Sequence, residues 1–308
     1  MMKFDAIEAE RQRRLKTFKT LLLVSLGFLV VSIILFVIYY FNPNSVLMVI
    51  AFFVAVIFFI LLTVAFSLPN NGFNKYCKDN LEKNIMNDVF QGEKYSYTEK
   101  NGVSFKEMNY SGLFLIPDDF ETSDTIRTTY KGIELTLSDY IFTRIVTHTD
   151  SKGNTTHTRY PFPGRYMAFN LERNFESGVA IIDKRNNNMV FNYKLYKEPL
   201  DFESIDFNKR FYATTSNKEK AFYLIRPKEI MALLDLSNLY KGHISNVLVN
   251  HTIYFIIADT KVDFSFNIFH KLDEGIVKDI YGYYELPLKI IDSLNLAAER
   301  YNEKSLDE

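Results

Sequence analysis

Leu21–Phe41 reads LLLVSLGFLVVSIILFVIYYF and Ser45–Ser67 reads SVLMVIAFFVAVIFFILLTVAFS, with only Asn42-Pro43-Asn44 between them. Neither run holds a charged residue. At about 1.5 Å of rise per residue, each helix would span roughly 31–35 Å, enough to cross a hydrocarbon core with some tilt. A buried core helix rarely needs so long an uncharged stretch, and two in tandem rarer still. A cleaved signal peptide fits poorly: the first run is too long, no small-residue cleavage site follows, and a second run comes at once. Three intervening residues leave the helices antiparallel. Pro43 lacks an N–H and disfavours helix in the residue before it, so the chain breaks there. Tyr39, Tyr40 and Phe41 cluster at this end, where aromatic rings favour a lipid–water boundary.

The flanks orient the pair. Lys3, Arg11, Arg13, Arg14, Lys16 and Lys19 precede the first run, Lys75, Lys78 and Lys83 follow the second, and the short loop has no basic residue. Basic flanks stay in the cytoplasm, so both termini are expected inside and the loop outside. Neither run carries an ionisable group of the kind that marks ion pathways and proton relays. Ser25, Ser32, Thr63 and the Ala51-x-x-x-Ala55 spacing are the notable small or weakly polar features. The pair therefore reads as an anchor. A transport role would need a pore lined by residues such as Ser25, Ser32 and Thr63.

The whole chain has 36 basic and 37 acidic residues; beyond residue 67 there are 30 and 34. That acidic balance excludes nucleic acid as a general partner, since neutralising phosphates needs a basic excess. The cluster Arg11–Lys19 suits the anionic face of a bilayer instead. A single cysteine, Cys77, excludes a disulfide framework and any multi-cysteine metal site. Three sequons, at Asn109, Asn154 and Asn250, read as chance on a cytosolic domain.

Past the anchor, Phe73, Cys77, Leu81, Ile85 and Val89 recur every four residues and predict a helix over 72–90, with Cys77 as a small core residue. From Tyr95 to Tyr196 the period shifts to two. Ile133, Leu135, Leu137 and the run to Thr147 predict a strand, Asp150–Asn154 a turn with a mobile tip, and Thr155–Phe162 the returning strand. Further strands are expected at Arg165–Asn170, Val179–Asp183 and Met189–Tyr196, with a turn at Arg185–Asn188. A short helix is expected within Asp201–Phe211. Another opens at Pro227 and ends at Gly242. A hairpin over Val247–Ala258 turning at Asn250-His251, a strand over Phe264–Phe269, and a closing helix from Ile276, kinked near Pro287, complete the reading.

No chemistry-bearing motif appears. His148, His157, His243, His251 and His270 form no H-E-x-x-H. His148 and His157 flank the 150–154 turn; facing each other across the hairpin they would make only a weak metal site, and they read as solvated strand residues. No glycine-rich phosphate loop and no Gly-x-Ser-x-Gly occurs among 12 scattered glycines. Asp118-Asp119 and Asp273-Glu274 read as capping or turn residues, and Asp183-Lys184-Arg185 as a solvated strand end.

Several local patterns together resemble the bacterial family called domain of unknown function 3137. They are the two apolar runs, Tyr110-Ser-Gly-Leu-Phe114, Ser123-Asp124 before an extended run, Phe162-Pro-Gly-Arg-Tyr166, and above all Leu200-Asp-Phe-Glu-Ser-Ile-Asp-Phe-Asn-Lys-Arg-Phe211 followed by Ala221-Phe-Tyr-Leu-Ile-Arg-Pro227. The likeness covers most of 15–296 and is loosest over 140–160. The family pattern has an Ala-Arg pair where this chain has Ala221-Phe222, so no arginine role carries over there. The resemblance implies a membrane-attached bacterial protein and no activity.

The expectation is thus an N-terminal transmembrane α-helical hairpin followed by a cytosolic α+β domain with mostly antiparallel sheet. Its parts are a basic segment 1–20, the hairpin 21–67, a juxtamembrane helix 72–90, a domain 91–298 with a subdivision near 198, and a polar tail 299–308. The functional expectation is a non-enzymatic binding or regulatory module, with a membrane-anchored enzyme as the alternative. The expected partners are the bilayer of a bacterial plasma membrane and a protein of unknown identity. Catalytic, metal and cofactor-binding residues are expected to be none, and no cofactor is expected.

Overall fold

The computed structural model describes residues 4–91, 94–186, 189–239, 242–258, 264, 266–298 and 301. It divides into two compact units, one of Met1–Val89 with Phe264–Tyr284, the other of Phe90–Asp263 with Glu285–Glu308.

In the first unit, α1 (Phe4–Phe41) and α2 (Ser45–Cys77) carry the two apolar runs and extend well past them. Asn44 caps α2 by accepting from the Val46 N–H. The seam between the helices repeats every seven residues. Phe18, Ser25 and Ser32 are buried on α1, and Ala51, Phe58 and Ala65 on α2. Small residues at such a seam let backbones approach, and the Ser32 hydroxyl donates across it to the Ala51 carbonyl (3.2 Å). Ala55 is only half-buried, so the working spacing is seven and not the four of Ala51-x-x-x-Ala55. Thr63 faces away and bonds its own helix at Phe59 and Ile60. Ser25, Ser32 and Thr63 therefore line no common path. Many other side chains of both runs are exposed, Leu23, Phe52, Phe53 and Phe59 among them.

The helical rod continues from α2 through a wide π turn, Lys78–Glu82, into α3 (Lys83–Val89). Phe73, Cys77, Leu81 and Ile85 are fully buried, as their spacing predicts. A strict four-residue repeat drifts around an ordinary α-helix, and a wider turn brings it back onto one face.

The second unit is built on a seven-stranded antiparallel sheet: β1 (Ser96–Lys100), β2 (Asp119–Tyr130), β3 (Ile133–Thr149), β4 (Thr155–Asp183), β5 (Glu198–Leu200), β6 (Phe211–Thr215) and β7 (His243–Ala258). The path is β1-β2-β3-β4-β6-β5, with β7 also on β4. Short helices α4 (Phe105–Met108), α5 (Ile205–Arg210) and α6 (Lys218–Leu224) and the longer α7 (Pro227–Leu239) fill the connections, and α8 (Glu274–Ser293) crosses the division between units. Tyr130 and Ile133 pair across a two-residue turn in which Lys131 and Gly132 both take positive φ, the geometry that matches strand twist.

Several expected elements come out differently. Arg165–Asn170 and Val179–Asp183 are parts of one 29-residue strand, because β4 pairs β3 along its first half and β6 at its end while β7 bridges both parts. The hairpin expected at Asn250-His251 is a bulge instead. Asn250 has φ 51° and opposes Phe175 where the β4–β7 register shifts. β4 spends more residues than β7 between Asn170 and Val179, and the alternation of β7 flips across Asn250, so Val247 before it and Tyr254 and Ile256 after it share one core face. Met189–Tyr196 forms no strand beyond a bridge from Phe191 to Phe114; it lies over the sheet and buries Val190 and Phe191. The described part of Phe264–Phe269 holds no strand either. Helix α8 continues through Pro287 without a break. The polar tail, apart from a buried Tyr301 against Phe175, lies outside the described residues.

Tyr140, Phe142, Tyr166, Ala168, Ala180 and Ile182 make one face of the sheet, packed under Met108, Leu113, Phe114, Val190 and Phe191. Gly164 pairs with Tyr140, and the tyrosine ring lies over it, so a Cβ there would overlap the ring. The opposite face buries Leu135, Leu137, Met167, Phe169, Phe255 and a cross-strand ion pair, Arg165–Asp139 (3.0 Å).

Candidate functional site

The strand end Asp183-Lys184-Arg185 was expected to be solvated. The structure instead buries the Asp183 side chain completely. Its carboxylate accepts the Arg185 backbone N–H (3.0 Å), Arg185 Nε (3.0 Å) and Nη2 (2.7 Å), and Arg210 Nε (2.9 Å). Arg210 Nη2 also donates to the Ser237 carbonyl, and Ser245 Oγ accepts both the Asp183 N–H and Asn186 Nδ2. The Tyr193 hydroxyl donates to the carbonyls of Asp183 and Asn186, and burial, with Asp183 nearby, pushes that phenol up to about 12. Burial alone would raise the Asp183 carboxyl. The hydrogen bonds from Arg185 and Arg210 outweigh it and hold the group below the usual aspartate range. A carboxylate so occupied stays ionised and has little capacity left for proton transfer. The cluster joins the end of β4, the end of α5, α7 and the start of β7, and its chemistry is that of a structural clamp.

The other sites of interest are also engaged or apart. Cys77 is buried. His157 pairs with Thr147, and His148 with Thr156, so the two histidines lie on opposite faces of the hairpin, both exposed as strand residues in solvent. Asp118 accepts the Ile145 N–H, Asp119 pairs with Arg159, and Asp273 accepts the Ile276 N–H at the start of α8. Among the described residues no three His, Cys, Asp or Glu side chains are grouped to hold a metal ion.

Among the described residues, the end of the β3–β4 hairpin is the part of the sheet without a third strand. β2 leaves β3 at Thr143, and the described part of β7 ends on β4 at Gly164. Pro161 and Pro163 precede that point; lacking N–H groups, they cannot donate to a further strand. Among the described residues, Arg144–Thr149 and Thr155–Tyr160 therefore pair only with each other, a ribbon of about 20 Å at 3.4 Å per residue. One face presents Ile145, Thr147, Thr149, Thr155, His157 and Arg159, and the other Arg144, Val146, His148, Thr156, Thr158 and Tyr160. Residues 147–160 are all exposed. The base is braced: Arg159 meets Asp119 (2.6 Å), and Arg144 donates to the carbonyls of Met189 and Ile116. The tip is closed by Asp150, whose carboxylate accepts the N–H groups of Lys152 and Asn154. Residues 144–160 hold Arg144, Lys152 and Arg159 against Asp150, a local basic excess.

A second arrangement was missed from sequence. The extended segment around Phe266–Phe269 crosses α1 and α2 just beyond the apolar runs. Asn74 accepts the Phe266 N–H (3.0 Å), Asn70 accepts the Ile268 N–H (3.2 Å), and Arg11 donates to the Ile268 carbonyl (2.7 Å). Carboxamides four apart on a helix meet amides two apart on an extended chain, replacing the strand partner that the pattern suggested. Phe269 then packs on Phe18 and Phe66.

Residues 161–296 match the model of the family described as Protein of unknown function (DUF3137). No curated protein matches the chain. Among solved structures, the mycobacterial trehalose monomycolate transport factor A, TtfA, aligns with 72% of this chain and 94% of its own, at 8% identity and a TM-score of 0.37. A likeness that slight carries no argument.

Proposed function

We propose, on the premise that residues 161–296 belong to this family of unknown function, that the protein is a membrane-tethered, non-enzymatic binding or regulatory module. In this reading α1 and α2 cross a bacterial plasma membrane, with both termini and everything from residue 68 on the cytoplasmic side. The uncharged runs, their outward apolar side chains and the basic flanks support the tether.

The observation that carries the binding role is the ribbon 144–160. A two-stranded extension with exposed faces adds nothing to a core, and such hairpins are marginal alone. Here both strands are continuous with the sheet, which sets their register and holds the finger out. Its threonines, histidines and excess arginine and lysine suit a polar, acidic protein surface.

The test is site-specific photo-crosslinking in membranes from Thr147, Lys152 and His157, with Glu99 on β1 as the control position. A discrete adduct shared by the ribbon positions and missing from Glu99 is expected. Absence of any ribbon adduct, or the same adducts from Glu99, would remove the ribbon as the contact.

A further inference from the structure

The extended segment around Phe266–Phe269 is a strap that follows a definite course along the helices of the first unit. Asn74 accepts the Phe266 N–H, Asn70 accepts the Ile268 N–H, and the Phe269 ring then meets Phe66. Each of these steps moves one turn along α2 toward its apolar run. The chain then reverses: the Asn267 carboxamide accepts the Phe269 N–H (2.9 Å), and the Asn267 carbonyl accepts the His270 N–H (3.2 Å). By Lys271 it is near Glu8 of α1, whose carboxyl is held low by hydrogen bonds from Arg11 and Gln12 and by a smaller pull from Lys271. Glu8 lies one turn farther from the apolar run than Arg11, which grips the Ile268 carbonyl (2.7 Å). Among the described residues, Phe269 is thus the point of the strap nearest the runs. Its ring and that of Phe66 both meet Phe18 edge to face, at 4.9 and 5.0 Å. Phe18 is buried, whereas Phe66 is 49% exposed and Phe269 44%.

The depth of that ring follows from the membrane tether, the reading on which this inference rests. Counted from the 42–44 loop, about 20 residues of helix cross a hydrocarbon core. The far boundary then falls near Leu21 on α1 and near Ala65 on α2, within about one turn of Phe18 and Phe66. We propose that the strap holds Phe269 in the lipid–water boundary opposite that loop, as an interfacial contact added to the two spanning helices. Lipid is the occupant because the exposed Phe269 ring is continuous, through Phe66, with the exposed apolar side chains of α2 that a bilayer would cover. The headgroup and acyl boundary is where apolar side chains of surface-lying segments settle. The backbone is prepared for it as well. The N–H groups of Phe266, Ile268, Phe269 and His270 all have acceptors within the protein, so nearing the boundary leaves none of these four donors unpaired. A protein surface is the competing occupant.

The chain contains no tryptophan, so Phe269→Trp makes the strap the sole source of tryptophan emission. The full-length variant is reconstituted in phosphatidylcholine vesicles brominated either high on the acyl chains, near the headgroups, or low, near the methyl ends. Phe53→Trp, at an exposed position inside the second apolar run, reports on the tether. Low bromines should quench Phe53→Trp several-fold more than high ones, and the order should reverse for Phe269→Trp. Tryptophan itself favours the interface, so Phe269→Trp is repeated with Asn70→Ala and Asn74→Ala. Its quenching by high bromines should fall several-fold once the carboxamides are gone. Phe269→Trp emission that neither lipid quenches, or quenching that is unchanged without the carboxamides, overturns the proposal and leaves the tether standing. Absence of quenching in Phe53→Trp would instead overturn the tether, so the two failures are distinguishable.

Discussion

Asp183 shows how far one side chain's role depends on residues distant in sequence. Two residues away, Arg185 is visible as a neighbour; Arg210 and Ser245 arrive only when β6 and β7 come alongside β4. The local triplet thus reads as a solvated strand end, and the fold makes it a buried clamp. Replacing the buried carboxylate with an amide leaves two guanidinium groups, Arg185 half-exposed and Arg210 mostly buried, facing a neutral partner. Asp183→Asn should cost about 2 kcal/mol, measured by urea unfolding of the full chain in detergent. A loss below about 1 kcal/mol would show that the clamp is dispensable. The pH dependence has a definite sign. Because the folded group titrates below its ordinary value of about 3.9, its stabilisation is complete above that value and is lost as pH falls through the folded value. The acid limb of the stability profile should therefore be shallower in Asp183→Asn than in the parent. Gly164 makes the same point by absence: nothing local marks a close approach there, and the fold uses it as the floor under Tyr140.

Among elements, the helices were the most legible. An uncharged run, a four-residue stripe and a proline at the first turn of α7 are local signals, and each marks a helix in the structure. Strands were legible as a period of two, but their joins were not. Whether Arg165–Asn170 and Val179–Asp183 make one strand or two depends on β7 lying beside both, and Asn250 has the same left-handed φ in a bulge as in a turn. The ribbon's hairpin and turn were legible, whereas its projection depends on where β2 and β7 stop. The strap at Phe266–Ile268 was hidden because its partners are side chains 192 and 198 residues away. Asn70→Ala with Asn74→Ala should leave two amide donors without acceptors at a cost of roughly 1–3 kcal/mol each. Hydrogen exchange should accelerate at Phe266 and Ile268 and stay unchanged in β3 and β4. Unaltered protection at those two amides would mean the carboxamides do not hold the strap.

For the whole molecule, the proposed topology turns on which side of a membrane the second unit occupies. Lys152 is exposed at the ribbon tip, and Cys77 is buried, so Lys152→Cys supplies an accessible thiol. An impermeant maleimide should leave it unlabelled in intact bacteria and label it after permeabilisation. Labelling of intact cells would reverse the orientation and with it the cytoplasmic reading of the ribbon.

The two apolar helices and the antiparallel character of the sheet follow from local composition and period, because an uncharged run or an alternating one has few ways to bury its surface. Family likeness, too, was readable in short motifs, and residues 161–296 bear it out. Long-range partnership was not readable. The clamp at Asp183, the flip at Asn250, the strap on Asn70 and Asn74, and the packing of Phe269 on Phe18 and Phe66 each depend on which distant surface occupies the neighbouring volume. Period tells a side chain which face it shares; packing alone tells it what lies against that face.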